Sequence, residues 1–493
     1  MIYYFQLIPS SRSGIMAVAQ ISILSKDDIE LVHEKTLTIL EETGVAVLSK
    51  KALSVLGEGG AKTDTKSMRA WIPESMVKET VKRIPRRITL AARNHKQDMI
   101  APRTGYPFMA TNGTAVYMTD MKTGARRATT GNDLKDFMTL SDAIDPLDYV
   151  WPIVTAHDAP DRTHALSELA ISLQSTTKHV QGEAMSAEEA RAEIEVAAAI
   201  IGGKDELAKR PIFSVIQCPI CPLEFEKGSV EAVMEFAKAG IPVVSMSMAL
   251  CGLTSPVTLA GTMAIVNAEN LASFAISQMT KSGAPIVYSS ESTSPNMRTG
   301  EIHYGAVEET ILASAAGQMA KHYGAPSMVG GFSLGLSGES PGISCDPGEL
   351  LFTTMTTIAS TDFGSGIGGL DQAKGAALEQ IIIDSDVWEV VRQLGREVVL
   401  SDDRFVTDLI KEVGPGGTFL KKSHTVRNMR RELFIQDNLA AEMFSQYRFD
   451  RDRKELVQRA RERAKKILSE HVPEKVDSDA KRKIDKILDE HRD

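Results

Sequence analysis

The sequence predicts an α/β protein built around a (β/α)8 barrel of the TIM type. Eight short runs of apolar and small residues follow residue 106, helical stretches separate them, and the alternation fills about 290 residues, as in known barrels. An open doubly wound sheet is the alternative, because periodicity does not show whether a sheet closes. The runs lie near residues 107–113, 149–156, 178–184, 211–218, 241–249, 284–292, 325–333 and 361–369.

The helices between these runs are predicted from the spacing of apolar residues and from their ends. Several stop at a glycine that is soon followed by a proline, as in AGIPVV, SGAPIV and YGAPSM. Glycine can close a helix in the left-handed conformation, and proline cannot continue one. The predicted helices cover residues 131–145, 161–177, 186–202, 226–239, 256–281 and 305–323.

Two further regions flank the barrel, which we assign to residues 107–395. Residues 25–106 are predicted to form an N-terminal helical cap, preceded by an extension over residues 1–24. Residues 396–493 are predicted to form a C-terminal helical extension that ends in two charged helices broken at Pro473. These charged helices make a homo-oligomer the expected state.

Composition argues against several classes of function. The net charge of −9 disfavours nucleic acid as the main partner, because binding phosphates requires a basic face. Four cysteines in 493 residues indicate a reducing, cytoplasmic setting. The first residues are a poor match to a signal peptide, and no apolar run of about 18 residues could span a membrane. We therefore expect a cytoplasmic protein without a membrane segment.

The candidate site residues follow from the barrel, because chemistry in this fold lies at the C-terminal ends of the strands. Polar, aromatic and sulfur-bearing side chains occur at or just after the predicted strand ends. They are Asn112, Trp151, His157, Gln181, Glu183, Gln217, Cys218, Ser247, Glu291, Phe332 and the segment 333–347.

Two cysteines three apart, Cys218 and Cys221, follow the fourth predicted strand. A structural zinc site needs about four ligands, which only Cys251 and Cys345 could complete. A redox pair would open a helix, and the prolines after both cysteines disfavour one. Packing of two small thiols is favoured, and a metal site stays open as the alternative.

The glycines of GSGIGG at residues 364–369 match the spacing of a dinucleotide-binding loop. The match is weak, because the glycines lie within or just after the eighth strand and no helix starts directly behind them. Close approach of the backbone to a ligand or a neighbouring strand explains them better.

Several motifs resemble the trimethylamine methyltransferase family, whose members pass a methyl group from a methylamine to a corrinoid protein. The longest is MALCGLTSPVTLAGTMAIVNAENLA at residues 248–272, where Gly252, Pro256, Thr258, Gly261 and the run Asn267-Ala268-Glu269 match the family pattern. The others are YMTDMKTGARRATTGND at 117–133, MRTGEIHYGAVEE at 297–309, GPGGTFLKKSHT at 414–425 and ARERAKKILSEH at 460–471. The resemblance implies a (β/α)8 barrel and extends over residues 25–493.

The resemblance also implies a branch of the family. Members that demethylate trimethylamine carry pyrrolysine after the seventh strand, where this chain has ordinary residues, with Pro347 near the equivalent place. This difference points to a quaternary amine, with glycine betaine first and proline betaine or carnitine next. The methyl acceptor would be cob(I)alamin, the corrinoid carried by a partner protein. Relatives often have serines where this chain has Cys218 and Cys221, which implies no metal at that pair.

A quaternary ammonium group is held by aromatic faces and a carboxylate. The predicted cage consists of Tyr117, Trp151, Tyr288 and Phe332, with Glu291 or Glu183 supplying charge. The carboxylate of a betaine would bind Arg298, His157 or His303. Core packing is the alternative role for each aromatic residue.

Two other functions remain open at this stage. One is a zinc-dependent corrinoid methyltransferase that uses Cys218, Cys221 and a third thiol. The other is a betaine-binding protein without catalytic activity.

Overall fold

Eight parallel strands close into a barrel in the computed structural model, which describes residues 22–103, 105–160, 163–345, 347–357, 361–393, 400–433 and 453–491. We number the barrel strands β1 to β8 in chain order. Strand β8 pairs with β1, and β1 pairs with β2, so the sheet closes and the open alternative is wrong. The strands are β1 Phe108–Thr111, β2 Tyr149–Val150, β3 His179–Gly182, β4 Phe213–Gln217, β5 Val243–Ser247, β6 Ile286–Ser290, β7 Ser327–Gly331 and β8 Phe363–Ile367.

The glycines of GSGIGG let β8 approach its neighbours closely. A Cβ atom on Gly366, whose φ is +113°, would lie 2.9 Å from the backbone nitrogen of Phe332. A Cβ atom on Gly364 would lie 3.2 Å from the Met109 side chain. These contacts confirm that the glycines serve strand packing in the barrel wall.

Helices surround the barrel where the sequence predicts them. Gly240 and Gly324 cap two of them with φ values of +73° and +64°, as predicted, whereas the helix predicted to end at the glycine of SGAPIV has Lys281 at its C-cap. The helices of this layer are Gly131–Asp142, His164–Ser175, Ala187–Ile201, Lys204–Lys209, Lys227–Ala239, Leu259–Thr280, Val307–Tyr323, Pro347–Thr357 and Leu378–Gln393. Among the described helices, only Leu259–Thr280 is long and apolar enough to cross a membrane, but 72% of its apolar window is buried inside this layer.

The N-terminal region contains short strands as well as helices. Its helices are Lys26–Thr38, which continues as a π-helix over Ile39–Thr43, Lys50–Glu58, Glu74–Arg83 and a 3-10 turn at His95–Gln97. Its strands are Val45–Val47, Lys62–Asp64, Arg69–Trp71, Ile88–Leu90 and Met99–Ala101. Strands of three residues are too short for their alternation to be recognised in the sequence. The cap is therefore not purely helical.

The C-terminal region packs partly on the barrel. Helix Arg453–Glu470 pairs with Leu378–Gln393 through two ion pairs, Arg461 to Glu379 at 2.9 Å and Arg463 to Asp386 at 2.7 Å. Helix Ser478–Glu490 buries Ile484. Between residues 400 and 433 the helices Asp402–Phe405, Thr407–Val413 and Ser423–Glu432 have no buried residue.

Four further short strands form a sheet at the C-terminal end of the barrel. Tyr117–Thr119 pairs with Arg126–Arg127 after β1, and Gly369–Leu370 pairs with Gly375–Ala376 after β8. A parallel pairing between Tyr117–Thr119 and Gly375–Ala376 joins the two hairpins. This sheet covers one side of the barrel mouth, between β1 and β8.

Candidate active site

The barrel interior is mostly apolar, apart from polar side chains such as His179 and Ser214, which lie 2.9 Å apart. Because successive side chains on a strand point to opposite faces, only every second residue faces inward. The inward residues pack with the hairpin formed by Ile88–Leu90 and Met99–Ala101, which fills the N-terminal end of the barrel. The apolar inward set is Ala110, Tyr149, Ile216, Val244, Met246, Val287, Met328 and Phe363, with Phe108, Trp151 and Met248 packed against it.

The same alternation carries polar side chains to the mouth, at the C-terminal ends of the strands. Glu183 follows β3 by one residue, Cys218 follows β4, and Glu291 follows β6. Cys218 and Glu291 lie an even number of positions beyond inward-facing residues of their strands, as Glu291 does beyond Val287. The mouth therefore begins where the apolar interior ends.

Glu291 is the best-defined acidic group at the mouth. Its backbone nitrogen donates to the carbonyl oxygen of Ser247 at 3.0 Å, which extends the pairing of β5 and β6. The hydroxyl of Ser365, on β8, donates to Oε1 of Glu291 at 3.4 Å. Burial raises the pKa of the Glu291 carboxyl to about 7. Its side chain is thus held between β6 and β8 and changes charge near neutral pH.

Two more carboxylates at this end of the barrel have raised pKa values. Burial raises the pKa of Glu309, at the start of helix Val307–Tyr323, to about 7, and the Glu291 charge contributes to that rise. Oε2 of Glu309 accepts from the backbone nitrogen of Gly305 at 2.5 Å. Burial and the charge of Glu189 raise the pKa of Glu183.

Cys218 lies among these groups. Water reaches this residue through the open mouth, yet protein surrounds the thiol on its other sides. That burial, and the charges of Glu291, Glu183 and Glu269, raise the pKa of the Cys218 thiol to about 12. The thiol is therefore protonated at neutral pH, and the mouth is an acidic pocket.

Trp151 is the predicted cage residue that the structure places at the mouth. It follows β2, is half-buried, and packs against the apolar interior two positions beyond the inward-facing Tyr149. A Cβ atom on Gly113 would lie 2.8 Å from the indole ring, so the glycine allows the loop after β1 to pass close to it. The hydroxyl of Thr111 donates to the carbonyl oxygen of Trp151 at 2.7 Å.

Tyr304 is an aromatic residue at the mouth that is not among the candidates predicted from the sequence. Burial and the nearby Glu291, Glu309 and Cys218 raise the pKa of its hydroxyl. The residue lies in the motif MRTGEIHYGAVEE, but outside any strand, so a search of strand ends does not select it. The family motif that contains Tyr304 is the signal that could have found it.

Tyr288 and Phe332 lie outside the barrel interior, which removes them from the predicted cage. Tyr288 is fully buried and donates its hydroxyl to Oδ1 of Asn267 at 3.1 Å, on helix Leu259–Thr280. Phe332 is fully buried with its ring 5.5 Å from that of Trp388. Both side chains point from the barrel wall towards the helix layer, where they pack in the core.

Tyr117 lies in the small sheet that covers the mouth. The Arg126 guanidinium lies 3.5 Å from the centre of its ring, and its hydroxyl donates to Oδ2 of Asp371 at 2.9 Å. A cation of the protein itself therefore already occupies one face of Tyr117.

The three residues predicted to bind a betaine carboxylate are exposed on loops at the mouth end. His157 lies on the loop after β2, and its Nε2 is 2.9 Å from the carbonyl oxygen of Val116, on the loop after β1. Arg298 and His303 both lie on the loop after β6, and His303 lies 3.6 Å from Glu349. The structure does not bring the three together.

The other predicted polar residues mainly support the barrel wall. Nδ2 of Asn112 donates to the carbonyl oxygen of Gly113 at 2.8 Å. Oε1 of Gln217 accepts from Ser273, in the helix layer, at 3.2 Å. Gln181 is buried on β3. The hydroxyl of Ser247 donates to Glu269 at 2.5 Å.

The loop after β7, residues 333–347, is organised by a buried aspartate. Asp384 accepts from the backbone nitrogen of Leu334 at 2.9 Å and from that of Gly368 at 2.9 Å, which ties this loop to the one after β8. Pro347 begins helix Pro347–Thr357. The described residues 333–345 of this segment are thus tied to the loop after β8.

The hydrogen bonds of Cys221 and Cys251 are with residues other than cysteine. The thiol of Cys221 donates to Oε2 of the buried Glu269 at 3.0 Å, and the Leu223 nitrogen donates to Oε1 at 2.8 Å. Cys251 contacts the Thr262 hydroxyl instead. Over the described residues, no three His, Cys, Asp or Glu side chains form a group that could hold a metal ion. The zinc-dependent alternative therefore finds no matching donor set there.

Exposed apolar side chains surround the mouth. They lie on the loops after β1, β3, β4, β5 and β6, and each exposes half or more of its surface. A soluble protein seldom exposes so many large apolar side chains around one opening without a partner to cover them. We call this set the apolar rim: Val116, Met185, Ile220, Leu253, Val257 and Met297.

Comparison with known proteins identifies the family. The model of the trimethylamine methyltransferase (MTTB) family matches residues 9–493. The chain is 29% identical to the trimethylamine methyltransferase MttB of Desulfitobacterium hafniense strain DSM 10664 / DCB-2, over 98% of this chain and 97% of that protein. It is 30% identical to the glycine betaine methyltransferase of Desulfitobacterium hafniense strain Y51, over 94% of this chain and 95% of that protein.

A solved structure supports the fold. The monomethylamine methyltransferase of Methanosarcina barkeri superposes with a TM-score of 0.51 at 11% identity, covering 91% of this chain and 88% of that chain. At that identity the likeness concerns the fold alone. The match over almost the whole length, together with the closed barrel, shows that this chain belongs to the trimethylamine methyltransferase family and is a methyltransferase.

Proposed function

We propose that the protein transfers a methyl group from a quaternary amine, with glycine betaine first, to the Co(I) corrinoid of a partner protein, and releases the tertiary amine. The observation that carries the proposal is the acidic pocket at the barrel mouth. There Glu183, Glu291 and Glu309 lie at the same end of the barrel as Trp151, and no Lys, Arg or His of the described residues is paired with any of the three.

Uncompensated carboxylates favour a cationic ligand. Each is costly to ionise without a partner, as the raised pKa values of Glu291 and Glu309 show. A cation in the pocket would restore their ionised form and gain from the weakly screened interaction. An aromatic face next to a carboxylate is the usual site for a quaternary ammonium group.

The chemistry of the leaving group favours a quaternary amine over a tertiary one. The nitrogen of a quaternary ammonium already carries the positive charge, so loss of a methyl group leaves a neutral tertiary amine and needs no proton. The protein then has to hold the methyl carbon in line with the acceptor and keep water away. Ordinary residues occupy the place where relatives that act on trimethylamine carry pyrrolysine, and one relative is named a glycine betaine methyltransferase.

Each of the residues at the mouth would have a role set by its position. Trp151 and Glu291 would hold the ammonium group above the apolar interior, with a methyl group directed outwards. Arg298 and His303, on the loop after β6, remain the candidates for the carboxylate of a betaine, with His157 across the mouth. The apolar rim would seat the corrinoid partner, which would close the pocket to water during transfer.

The same features support the remaining parts of the proposal. We place the protein in the cytoplasm, in keeping with its low cysteine content of four in 493 residues. We also propose that it forms a homo-oligomer. The charged C-terminal helices pack on their own barrel, so support comes instead from Leu420, Val426 and Leu433, whose side chains are largely exposed.

A spectroscopic assay tests the reaction. The purified protein is mixed with its corrinoid partner in the Co(I) state and, in turn, with glycine betaine, proline betaine, carnitine and trimethylamine, and formation of methylcobalamin is followed in the visible spectrum. Methylation with a quaternary amine is expected. Activity that requires added zinc and is lost in Cys218→Ser would favour the zinc-dependent reaction, and binding of betaine without any methyl transfer would favour a non-catalytic binding protein.

A further inference from the structure

The loop after β6 folds back over the mouth and carries one aromatic side chain into the acidic pocket. We propose that Tyr304 is a substrate-binding residue whose ring faces the ammonium group, opposite Trp151. This inference rests on the proposed function and deepens it, because it names the part of the pocket that recognises positive charge.

The loop holds Tyr304 in place at three points. An antiparallel bridge between Pro295 and Ile302 makes the loop a hairpin, so the chain returns to the strand end from which it left. The hydroxyl of Thr293 then donates to the carbonyl oxygen of His303 at 2.8 Å. The Tyr304 nitrogen donates to Oε1 of Gln372, after β8, at 2.9 Å. Tyr304 is therefore tied to the loops after both β6 and β8.

The surroundings of the ring are acidic. Tyr304 is half-buried, and the carboxylates of Glu291 and Glu309 and the thiol of Cys218 lie close enough to act on its hydroxyl. Cys218 follows β4 and Glu291 follows β6, so the side chain extends over the opening instead of outwards. Among the described residues, no hydrogen-bond partner of the Tyr304 hydroxyl is seen.

This arrangement suits a cation better than an uncharged group of the same shape. The face of a phenol ring attracts a cation through its quadrupole, and removal of water strengthens that attraction. Trp151 alone would present one aromatic face, so a second ring from another loop would complete an enclosure. Of the four aromatic residues predicted from the sequence, two lie in the core and Tyr117 already faces Arg126. Tyr304 is therefore the residue that would supply the second aromatic face.

Paired ligands and paired variants test the inference. Dissociation constants are measured by calorimetry for glycine betaine and for 3,3-dimethylbutanoate, in which an uncharged tert-butyl group replaces the trimethylammonium. The same is done for choline and 3,3-dimethylbutan-1-ol, which lack the carboxylate. The proteins are the wild type, Tyr304→Phe, which keeps the ring, and Tyr304→Leu, which keeps an apolar side chain.

We expect Tyr304→Leu to weaken binding of the cations about 3- to 30-fold, the range of a cation–π contact. Binding of the uncharged analogues should change less than about 2-fold, and Tyr304→Phe should retain the cation affinity of the wild type. Equal losses for cation and analogue, or no loss in Tyr304→Leu, would overturn the role of Tyr304. A wild type that binds and demethylates none of the quaternary amines would instead overturn the proposed function.

Discussion

Glu291 offers the sharpest test of the acidic pocket, because replacing it should improve stability while it removes a substrate contact. The folded protein raises the pKa of this carboxyl from the ordinary 4.5 to about 7. The folded state therefore binds more protons than the unfolded state between these values, and its stability falls as the pH rises through about 7. Glu291→Gln removes that penalty and keeps the shape of the side chain.

The magnitude follows from the difference between the two pKa values. A difference of about 2.5 pKa units, at about 1.4 kcal/mol for each unit, corresponds to about 3.5 kcal/mol. Glu291 is partly open to the mouth, so solvent lowers the expected gain to about 1–3 kcal/mol at pH 8. Near pH 4.5 the wild type is mostly protonated at this site in the folded state and half protonated in the unfolded state, and the gain should vanish.

Thermal unfolding at pH 8 and at pH 5 measures this effect. For a chain of this length we expect Glu291→Gln to raise Tm by roughly 1–3 °C at pH 8 and by little at pH 5. Glu301→Gln, on the exposed part of the same loop, is the matched control and should leave Tm unchanged at both pH values. A Tm that falls at pH 8, or a gain that does not depend on pH, would refute the account of Glu291 as an uncompensated carboxylate.

Further predictions concern binding, the cysteine loop and assembly. Affinity for a quaternary ammonium ion should weaken by up to about tenfold per pH unit below about pH 7, as Glu291 and Glu309 become protonated, and calorimetry at several pH values would show it. Trp151→Leu should weaken binding of the cation by about 3- to 30-fold and Trp151→Phe by less, measured in the same way, and equal effects would remove the indole from the site. Cys221→Ser should lower the free energy of unfolding by less than about 1 kcal/mol in chemical denaturation, because the serine hydroxyl still donates to Glu269. Glu269→Leu should lower it by about 3 kcal/mol or more, because the Leu223 nitrogen and the Ser247 hydroxyl lose their acceptor. Leu420→Glu together with Val426→Glu should lower the oligomeric state seen by light scattering, and an unchanged mass would exclude this surface from assembly.

Much of the barrel could be predicted from local patterns. Short apolar runs and glycine-capped helices depend on neighbours in the sequence, so β1 to β8 lie where the runs predict them. Closure of the sheet needs pairing between β8 and β1, which are far apart in the chain. The count of eight strands favours closure without showing it.

The directions of the side chains at the site are harder to predict from the sequence. Tyr288 and Glu291 are three residues apart along one strand direction, so alternation alone implies that they face opposite sides of the wall. The cage predicted from the sequence nevertheless contains both. When strand alternation is applied to each residue, it predicts that Glu291 points to the mouth and that Tyr288 points to the helix layer.

Tyr304 and Glu309 could not be placed in this way. Their positions depend on the hairpin at Pro295 and Ile302 and on the hydrogen bond to Gln372, which join distant parts of the chain. No local period encodes such contacts. The short strands of the N-terminal cap were missed for a related reason, because Val45–Val47 is completed by pairing with Glu224–Phe225 after β4.

Isotope tracing would test the central claim most directly. Glycine betaine labelled with carbon-13 in its N-methyl groups is incubated with the protein and its reduced corrinoid partner, and the products are followed by nuclear magnetic resonance. The account predicts that the label appears in methylcobalamin while dimethylglycine accumulates in equal amount. Label that stays in glycine betaine, although the protein binds it, would contradict methyl transfer from this substrate.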